Sequence, residues 1–181
     1  MIQKKQGKLL LKLAKDTISG HFSGIIPSIK DREKLSKKQG VFVTLTKKGE
    51  LRGCIGFPVP IYPLWQGVMK AALAAAFQDP RFPPVEEDEQ LEFEVSVLSV
   101  PEIIKVNDPR DYPKKIDVGK DGLILELNFH SGLLLPQVPL EYKWDARTFL
   151  EQLAVKAGLS RNAWLDDQAR IFKFQAQIFK S

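Results

Sequence analysis

Apolar residues recur along the chain at two spacings, which predict where the helices and strands lie. In residues 3–19 they recur every three or four positions, as in a helix with one buried face, and Gly20 is placed to end it. Residues 64–78 are rich in alanine and apolar around most of the circumference, as in a helix buried by its neighbours. A further helix is expected to begin at Asp145 and end at Gly158.

Alternation of side chains with a period of two predicts the strands. The predicted segments are residues 41–46 and 51–57 around the turn 47–50, residues 92–99, residues 122–129 and 132–138 around the turn His130-Ser131, and residues 172–178. In the last segment Phe172, Phe174, Ala176 and Ile178 are expected to share one face. Residues 25–39 have many charges and no sustained period, so a connector with one short helical turn is expected there.

The order of these elements indicates the fold class. Hairpins separated by helices, without regular alternation of strand and helix, favour an α+β fold with a largely antiparallel sheet over a doubly wound fold. The 181 residues, of which 44% are hydrophobic, are enough for one domain over 1–181, with room for a smaller subdomain. The chain contains no glycine-rich phosphate loop of either nucleotide-binding type.

The composition indicates where in the cell the protein is expected to lie and which metals and partners it is expected to bind. Neither a secretory signal pattern nor an apolar run long enough for a membrane span is present, so a cytoplasmic protein without a membrane partner is expected. Cys54 is the only cysteine, which excludes an intrachain disulfide and makes a structural zinc site improbable; no metal site is predicted. A net charge of +5, concentrated in lysines near the N-terminus and in residues 30–38, is compatible with phosphate-containing partners.

The segment Leu51-Arg52-Gly53-Cys54-Ile55-Gly56 carries the candidate chemistry. Strand alternation places Arg52, Cys54 and Gly56 on one face, and the opposite, core-facing side takes Leu51, Ile55 and Phe57. A nearby guanidinium favours the thiolate, which is the form that a nucleophilic or redox-sensitive cysteine needs. Gly53 and Gly56 are expected to leave room above the backbone for a close approach.

Structural explanations of the same residues stay open. A lone cysteine commonly behaves as a small buried hydrophobe, and glycines in a strand often mark a bulge or tight backbone packing. Arg52 is able to pair with a surface carboxylate such as Glu94, which lies on the polar face of residues 92–99. His21 is interpreted as an exposed polar residue, and the three tryptophans as packing anchors.

The hexapeptide resembles the signature of the AMMECR family. The resemblance continues in family order over most of the chain, in residues 75–84, 92–98, 132–138, 144–145 and 156–159. It implies an α+β domain in which two related β/α units share one curved, barrel-like sheet. It also implies association with a Memo-like protein and a radical SAM protein, the grouping called AmmeMemoRadiSam.

The resemblance further implies a shared set of polar residues at a common site: Arg52, Cys54, Asp79, Arg81, Glu94 and Gln137. His130, in the predicted second hairpin, is not part of that set and is not expected to act as a base. Relatives often carry a second cysteine where this chain has Leu153-Ala154-Val155, so any cysteine chemistry here falls to Cys54 alone. Neither the residues nor the resemblance indicates a cofactor.

Three functions are compatible with this set. In the first, the surface around Cys54 binds a small anionic ligand or a partner protein, with Gly53, Gly56, Asp79, Glu94 and Gln137 lining it and Arg52 and Arg81 as anion contacts. In the second, Cys54 is the nucleophile of an enzyme that acts on a small anionic substrate. In the third, the same face binds a nucleotide or RNA, which the lack of a combined aromatic and basic stripe disfavours.

Overall fold

The structure is a computed structural model that describes residues 2–28 and 32–181. It contains four α-helices and seven strands in these residues: α1 (Lys4–Ser23), β1 (Val41–Lys47), β2 (Glu50–Phe57), α2 (Leu64–Phe77), β3 (Glu92–Leu98), β4 (Glu102–Ile103), β5 (Asp121–Leu127), β6 (His130–Leu134), α3 (Val138–Glu141), α4 (Ala146–Lys156) and β7 (Arg170–Lys180). Short 3₁₀ helices lie at Arg32–Leu35, Pro109–Lys115 and Ala163–Leu165. Among the helices of these residues, none combines the length and hydropathy that a membrane span requires.

The chain divides into two compact units. One comprises Met1–Ser99 together with Gln177–Ser181, and the other comprises Val100–Ala176. Each unit has its own hydrophobic core, and the pairings of β1 with β2 and β3, and of β5 with β6 and β7, are all antiparallel. The expected α+β class, with a largely antiparallel sheet and flanking helices, is confirmed.

In the first unit the strands lie in the order β2-β1-β3, and α1 and α2 pack on one face of them. Val41, Val43 and Leu45 of β1 and Val95 of β3 are completely buried on this face. Burying an aliphatic side chain of this size stabilises the fold by about 1.5–3 kcal/mol. The alternation of apolar residues in β1 therefore fixes which side of the sheet the helices cover.

Helix α1 is one turn longer than the sequence predicts. Gly24, rather than Gly20, takes the left-handed conformation that ends the helix, with φ of 70°. Gly20 has a different task, because the carbonyl oxygen of Ile25 lies only 2.1 Å from the position where a Cβ would be. Two glycines near one helix end thus serve different purposes, and sequence spacing alone does not distinguish them.

The predicted hairpin of β1 and β2 is confirmed. Lys48 and Gly49 form a two-residue turn with φ of 54° and 82°, the left-handed values that tight hairpins require at both positions. Strand pairing begins with Lys47 opposite Glu50, immediately next to the turn.

A β-bulge at Arg52 interrupts the regular pairing of this hairpin. Thr46 pairs with Leu51 and Leu45 pairs with Gly53, so Arg52 is the extra residue of β2. Residues paired directly across antiparallel strands project to the same face, so Gly53 and the two residues at positions 55 and 57 project toward the core side. Cys54, opposite Thr44, projects to the other face.

The expectation that Leu51 faces the core is wrong. Its exposed fraction is 42%, whereas Ile55 and Phe57 pack against the first core cluster as expected. The bulge at Arg52 is the physical reason, because one extra residue shifts the alternation on its two sides by one position. A strand read with uninterrupted alternation therefore assigns Leu51 to the wrong face.

In the second unit β5 pairs with both β6 and β7, and α4 packs against this sheet. The predicted turn at His130-Ser131 is displaced by two residues: the turn is Asn128-Phe129, and His130 pairs with Leu127. Asn128 has φ of 54°, and asparagine tolerates this left-handed conformation better than most residues. Asp145 caps α4 by accepting a hydrogen bond from the Thr148 N–H at 2.7 Å, as predicted.

The last strand buries side chains on both of its faces. Ile171 and Phe174 are both buried, although they project in opposite directions, whereas Ile178 is 44% exposed. Residues 172, 174, 176 and 178 lie in one strand and share one face as predicted, but that face is not buried along its whole length. Strand β7 begins in one unit and ends in the other, so the surroundings of its two faces change along its length.

Two alanine substitutions in β2 test the effect of the bulge. Ile55→Ala is expected to lower the free energy of unfolding by about 2 kcal/mol, because a side chain that packs on the core is removed. Leu51→Ala is expected to change it by less than about 0.5 kcal/mol, as for a solvent-facing position. Urea denaturation of the two variants measures the difference, and equal losses would contradict the face assignment.

Candidate functional site

The outer edge of β2 is covered at Cys54 by two side chains from the loop that follows α2. The Cys54 N–H donates to Oδ2 of Asp79 at 2.9 Å, and Nη2 of Arg81 donates to the Cys54 carbonyl at 3.2 Å. Both backbone groups point away from β1, since Cys54 and Thr44 form a pair of the type without mutual backbone hydrogen bonds. Asp79 and Arg81 thus replace the bonds that another strand would make at this edge.

The carboxylate of Asp79 and the guanidinium of Arg81 form a two-point ion pair. Nη2 donates to Oδ2 at 2.7 Å and Nε donates to Oδ1 at 2.9 Å, while the Arg81 backbone N–H also donates to Oδ1 at 3.1 Å. The side chain of Asp79 is only 2% exposed, whereas that of Arg81 is 54% exposed. The hydrogen bonds from Arg81, followed by the one from Cys54, hold the pKa of Asp79 well below its ordinary value despite burial.

The same local arrangement occurs a second time, in Asp108-Pro109-Arg110. There the Arg110 N–H donates to Oδ1 of Asp108 at 2.9 Å, and Nη2 donates to Oδ2 at 2.7 Å. This second pair is exposed, with 81% of the arginine side chain and 40% of the aspartate side chain accessible. The tripeptide Asp-Pro-Arg therefore forms the ion pair by itself, and the contact with Cys54 is what distinguishes the first copy.

Arg52 is held by the loop that precedes β3. Its guanidinium donates to both carboxylate oxygens of Glu89, at 2.7 and 3.0 Å, and to the carbonyl oxygens of Pro83 at 2.8 Å and Pro84 at 3.1 Å. Only 13% of the Arg52 side chain is exposed. The partner of Arg52 is therefore Glu89 rather than Glu94, and most of its donors are used within the chain.

Glu89 is the acidic centre of this second cluster. Besides the two bonds from Arg52, it accepts hydrogen bonds from the Lys47 ammonium at 2.9 Å and from the Glu86 N–H at 3.0 Å. These bonds, with those from Arg52 contributing most, lower the pKa of Glu89 to about 2. The cluster fastens the loop to the bulge of β2, because Arg52 is the bulged residue.

Cys54 shares the outer face of the sheet with a hydroxyl and a carboxylate. Thr44 lies between Cys54 and Glu94 in the strand pairing, and its Oγ1 is 3.2 Å from the sulfur. Glu94 accepts a hydrogen bond from the Ser96 hydroxyl at 3.3 Å and forms an ion pair with Lys180 at 2.8 Å. Cys54 as a residue is half-buried.

The chain itself takes up the room expected above Gly53 and Gly56. A Cβ on Gly53 would lie 2.1 Å from the Ala75 carbonyl oxygen, so this glycine allows α2 to approach the strand. A Cβ on Gly56 would lie 2.3 Å from the ring of Phe42, which covers the glycine from the neighbouring strand. Both glycines therefore have a packing role, and a direct contact with a ligand stays a prediction.

Gln137 is the predicted site position that belongs to the second unit. It precedes α3, where its carbonyl oxygen accepts hydrogen bonds from the Leu140 and Glu141 N–H groups. Nδ1 of His130 lies 3.1 Å from the carbonyl oxygen of Ala157 at the end of α4. Residues 2–28 and 32–181 contain no group of His, Cys, Asp or Glu side chains arranged to hold a metal ion.

Thr44 and Glu89 are the two residues of the site that the sequence did not indicate. Counting back from the Lys48-Gly49 turn without a bulge places Thr44 opposite Gly53, and only the extra residue at position 52 moves it opposite Cys54. Glu89 lies in an acidic stretch, residues 86–89, whose members look equivalent in sequence. Only the geometry of the loop selects one of them.

Replacing Asp79 tests whether the edge contact stabilises the fold. Asp79→Asn removes the charge that pairs with Arg81, and we expect the free energy of unfolding to fall by about 2 kcal/mol. Asp108→Asn is the matched control, because it alters the exposed copy of the same tripeptide and is expected to change the midpoint of thermal unfolding little. Similar shifts in the two variants would show that the contact with Cys54 contributes nothing.

The Glu89 cluster makes a prediction about acid sensitivity. Because the pKa of Glu89 is lowered from the ordinary 4.5 to about 2, its contribution to stability is complete above pH 4.5 and is lost as pH falls toward 2. Glu89→Gln removes this titration, so the variant is expected to lose less stability than the wild type over that range. Urea midpoints measured at several pH values check this, and parallel pH profiles would refute it.

Comparison with known proteins places the chain in a family. The model of the family described as AMMECR1 matches residues 11–179. A protein from Thermococcus onnurineus is 47% identical, over 99% of this chain and 92% of its own length, and protein MJ0810 from Methanocaldococcus jannaschii is 46% identical, over 97% and 90%. The crystal structure of uncharacterized protein PH0010 from Pyrococcus horikoshii has a TM-score of 0.89 and 45% identity, covering 99% of this chain and 93% of that one. The predicted family membership is confirmed, and the chain belongs to the AMMECR1 family.

Proposed function

We propose that the chain binds a small anionic ligand at the edge of β2, with Arg81 as the anion contact beside Cys54. The observation that supports this most directly is the orientation of Arg81. Asp79 engages Nε and Nη2, so the guanidinium plane is fixed while more than half of the side chain remains accessible. An arginine held in this way loses little conformational entropy when it binds a carboxylate or phosphate group.

The charges around Arg81 indicate how selective such a site would be. The neighbouring Asp79 carboxylate balances the guanidinium charge, so long-range attraction of anions is weak. Binding would therefore depend on directional hydrogen bonds to the guanidinium over a short distance, which favours a ligand of defined shape. The hydrogen bonds to Asp79 are the largest cause of the raised pKa of Arg81, so the guanidinium keeps its positive charge.

The single thiol offers a direct test of an anion contact. Iodoacetate and iodoacetamide both alkylate cysteine, but only iodoacetate is an anion, so the ratio of their rates reports local anion binding independently of thiolate population. Replacing both Asp79→Asn and Arg81→Gln leaves the net charge unchanged, and we expect the ratio to fall about fivefold, as for the loss of about 1 kcal/mol of attraction. The ratio is measured by mass spectrometry.

The double variant Asp108→Asn with Arg110→Gln is the matched control and is expected to keep the wild-type ratio. Protection by inorganic phosphate provides a second measurement on the wild-type protein, which does not depend on the stability of any variant. At equal ionic strength, phosphate is expected to slow alkylation by iodoacetate more than chloride does. An unchanged ratio together with no protection by phosphate would reject the proposed anion site.

A cysteine-dependent enzyme is the second candidate function, and the contact between Thr44 and Cys54 favours it. The hydroxyl is 3.2 Å from the sulfur and is able to donate a hydrogen bond to a thiolate, which is the nucleophilic form. In this candidate the Cys54 thiolate attacks an electrophilic carbon of the anionic substrate that Arg81 holds. The sulfur–carbon bond forms as the bond from that carbon to its leaving group breaks, and the leaving group takes up the proton that the thiol has lost. Glu94 lies in the same row of the sheet. Action together with Memo-like and radical SAM proteins remains a prediction from the family resemblance.

Removal of the Thr44 hydroxyl tests this second candidate. Thr44→Val is expected to slow the reaction of Cys54 with neutral iodoacetamide about threefold, as for the loss of one hydrogen bond of about 0.7 kcal/mol. Thr46→Val is the control, because it changes the next residue on the same face, which pairs with Leu51. Equal rates in the two variants would show that Thr44 does not activate the thiol.

A further inference from the structure

Helix α1 presents a face that consists largely of lysines. Lys4, Lys5, Lys8, Lys12 and Lys15 are all exposed. At 3.6 residues per turn and 1.5 Å per residue, these five side chains fall within an arc of about 100° and extend for roughly 16 Å along the helix. We call this surface the lysine face of α1.

Little negative charge balances the lysine face. Within residues 2–28 and 32–181, Lys12 is the one member of the five with an ion-pair partner, the Asp16 carboxylate of the next turn. Lys4, Lys5 and Lys8 are exposed, and close spacing of like charges in water is unfavourable without counterions. Binding of a polyanion would release those counterions, which provides a driving force.

A cleft at the N-terminal end extends the basic surface beyond the helix. It has a volume of about 220 Å³ and is lined by Gln3, Lys5, Gln6, Leu9, Lys34 and Leu35. The side-chain amide of Gln6 donates to the Lys34 carbonyl at 3.1 Å, which holds the 3₁₀ helix Arg32–Leu35 against α1. A second ammonium group, from Lys34, therefore borders the same space as Lys5.

The other end of the lysine face has a boundary. Lys15 lines a second cleft, of about 310 Å³, together with Glu86, Glu87 and Glu89. The exposed carboxylates of Glu86 and Glu87 would repel a polyanion that extended past Lys15, whereas Glu89 is paired with Arg52 and Lys47. A polyanion is therefore expected to contact the first three turns of α1 and the adjoining cleft.

We propose that the lysine face binds the phosphate backbone of nucleic acid, independently of the anion site beside Cys54. A membrane-surface helix would need large apolar side chains among its lysines, but the large exposed apolar side chain described on α1 is Phe22, in the last turn. Acidic peptide motifs are usually recognised by clusters of arginines, which make bidentate contacts with carboxylates, and α1 contains no arginine. Regularly spaced ammonium groups are sufficient for phosphate contacts without sequence readout.

Fluorescence anisotropy with a labelled single-stranded RNA of mixed sequence tests the proposal over a series of KCl concentrations. The variant Lys4→Gln, Lys5→Gln, Lys8→Gln removes three charges from the face. We expect it to bind at least tenfold more weakly at low salt, and the slope of log K against log[KCl] to become shallower by about 2, or 0.7 per phosphate contact on a single strand. Circular dichroism of the variant establishes that α1 is retained.

The control Lys105→Gln, Lys143→Gln, Lys156→Gln removes the same net charge from exposed lysines of the second unit. It is expected to retain the wild-type slope. Equal losses in the two triple variants would mean that net charge alone attracts RNA, and this overturns the proposal. Absence of RNA binding by the wild type at low salt also overturns it, as does preferential binding of phosphatidylserine vesicles or of polyglutamate through the same three lysines.

Discussion

The buried carboxylate of Asp79 is the interaction on which the geometry of the first unit depends. Its two oxygen atoms accept hydrogen bonds from the backbone of Cys54 and from Arg81, so they connect the edge of β2 with the loop after α2. A buried charge is tolerated only when such partners are in place. The position of the thiol and the direction of the exposed guanidinium are therefore determined together.

The polar residues indicated by the family resemblance fall into two groups, according to whether their polar atoms are used inside the chain or remain accessible. Arg52 and Asp79 form hydrogen bonds within the chain that fasten the loop between α2 and β3 to β2 at two points. Arg81 and Cys54 retain accessible atoms, and these are the groups that remain free to meet another molecule. Arg52 and Asp79 are not needed for core packing, but each has defined hydrogen-bond partners. Their role is to position the neighbouring residues Cys54 and Arg81.

Most helices and strands could be predicted from the sequence, but the bulge, the position of one turn and the contact of Glu89 could not. The hairpin of β1 and β2, helix α2 and the Asp145 cap of α4 follow from local patterns, and the structure has them at nearly the predicted residues. The bulge at Arg52 leaves no local signal, because the extra residue is revealed only by the pairing with β1. Glu89 also has no local signal, because its contact with Arg52 depends on how the loop folds. The position of the turn at Asn128 is not evident from the sequence, because other polar residues nearby are also suited to a turn.

The bulge has a consequence for how the β1–β2 hairpin is able to vary among related chains. With one extra residue between the turn and Cys54, the thiol points outward, and Ile55 and Phe57 point inward. Deletion of that residue, or insertion of a second one, would reverse the faces of the strand. Cys54 would then face the helices, and Ile55 and Phe57 would face the solvent. Insertions and deletions between the turn and Cys54 are therefore expected to involve an even number of residues, because only an even number keeps the cysteine on the outer face.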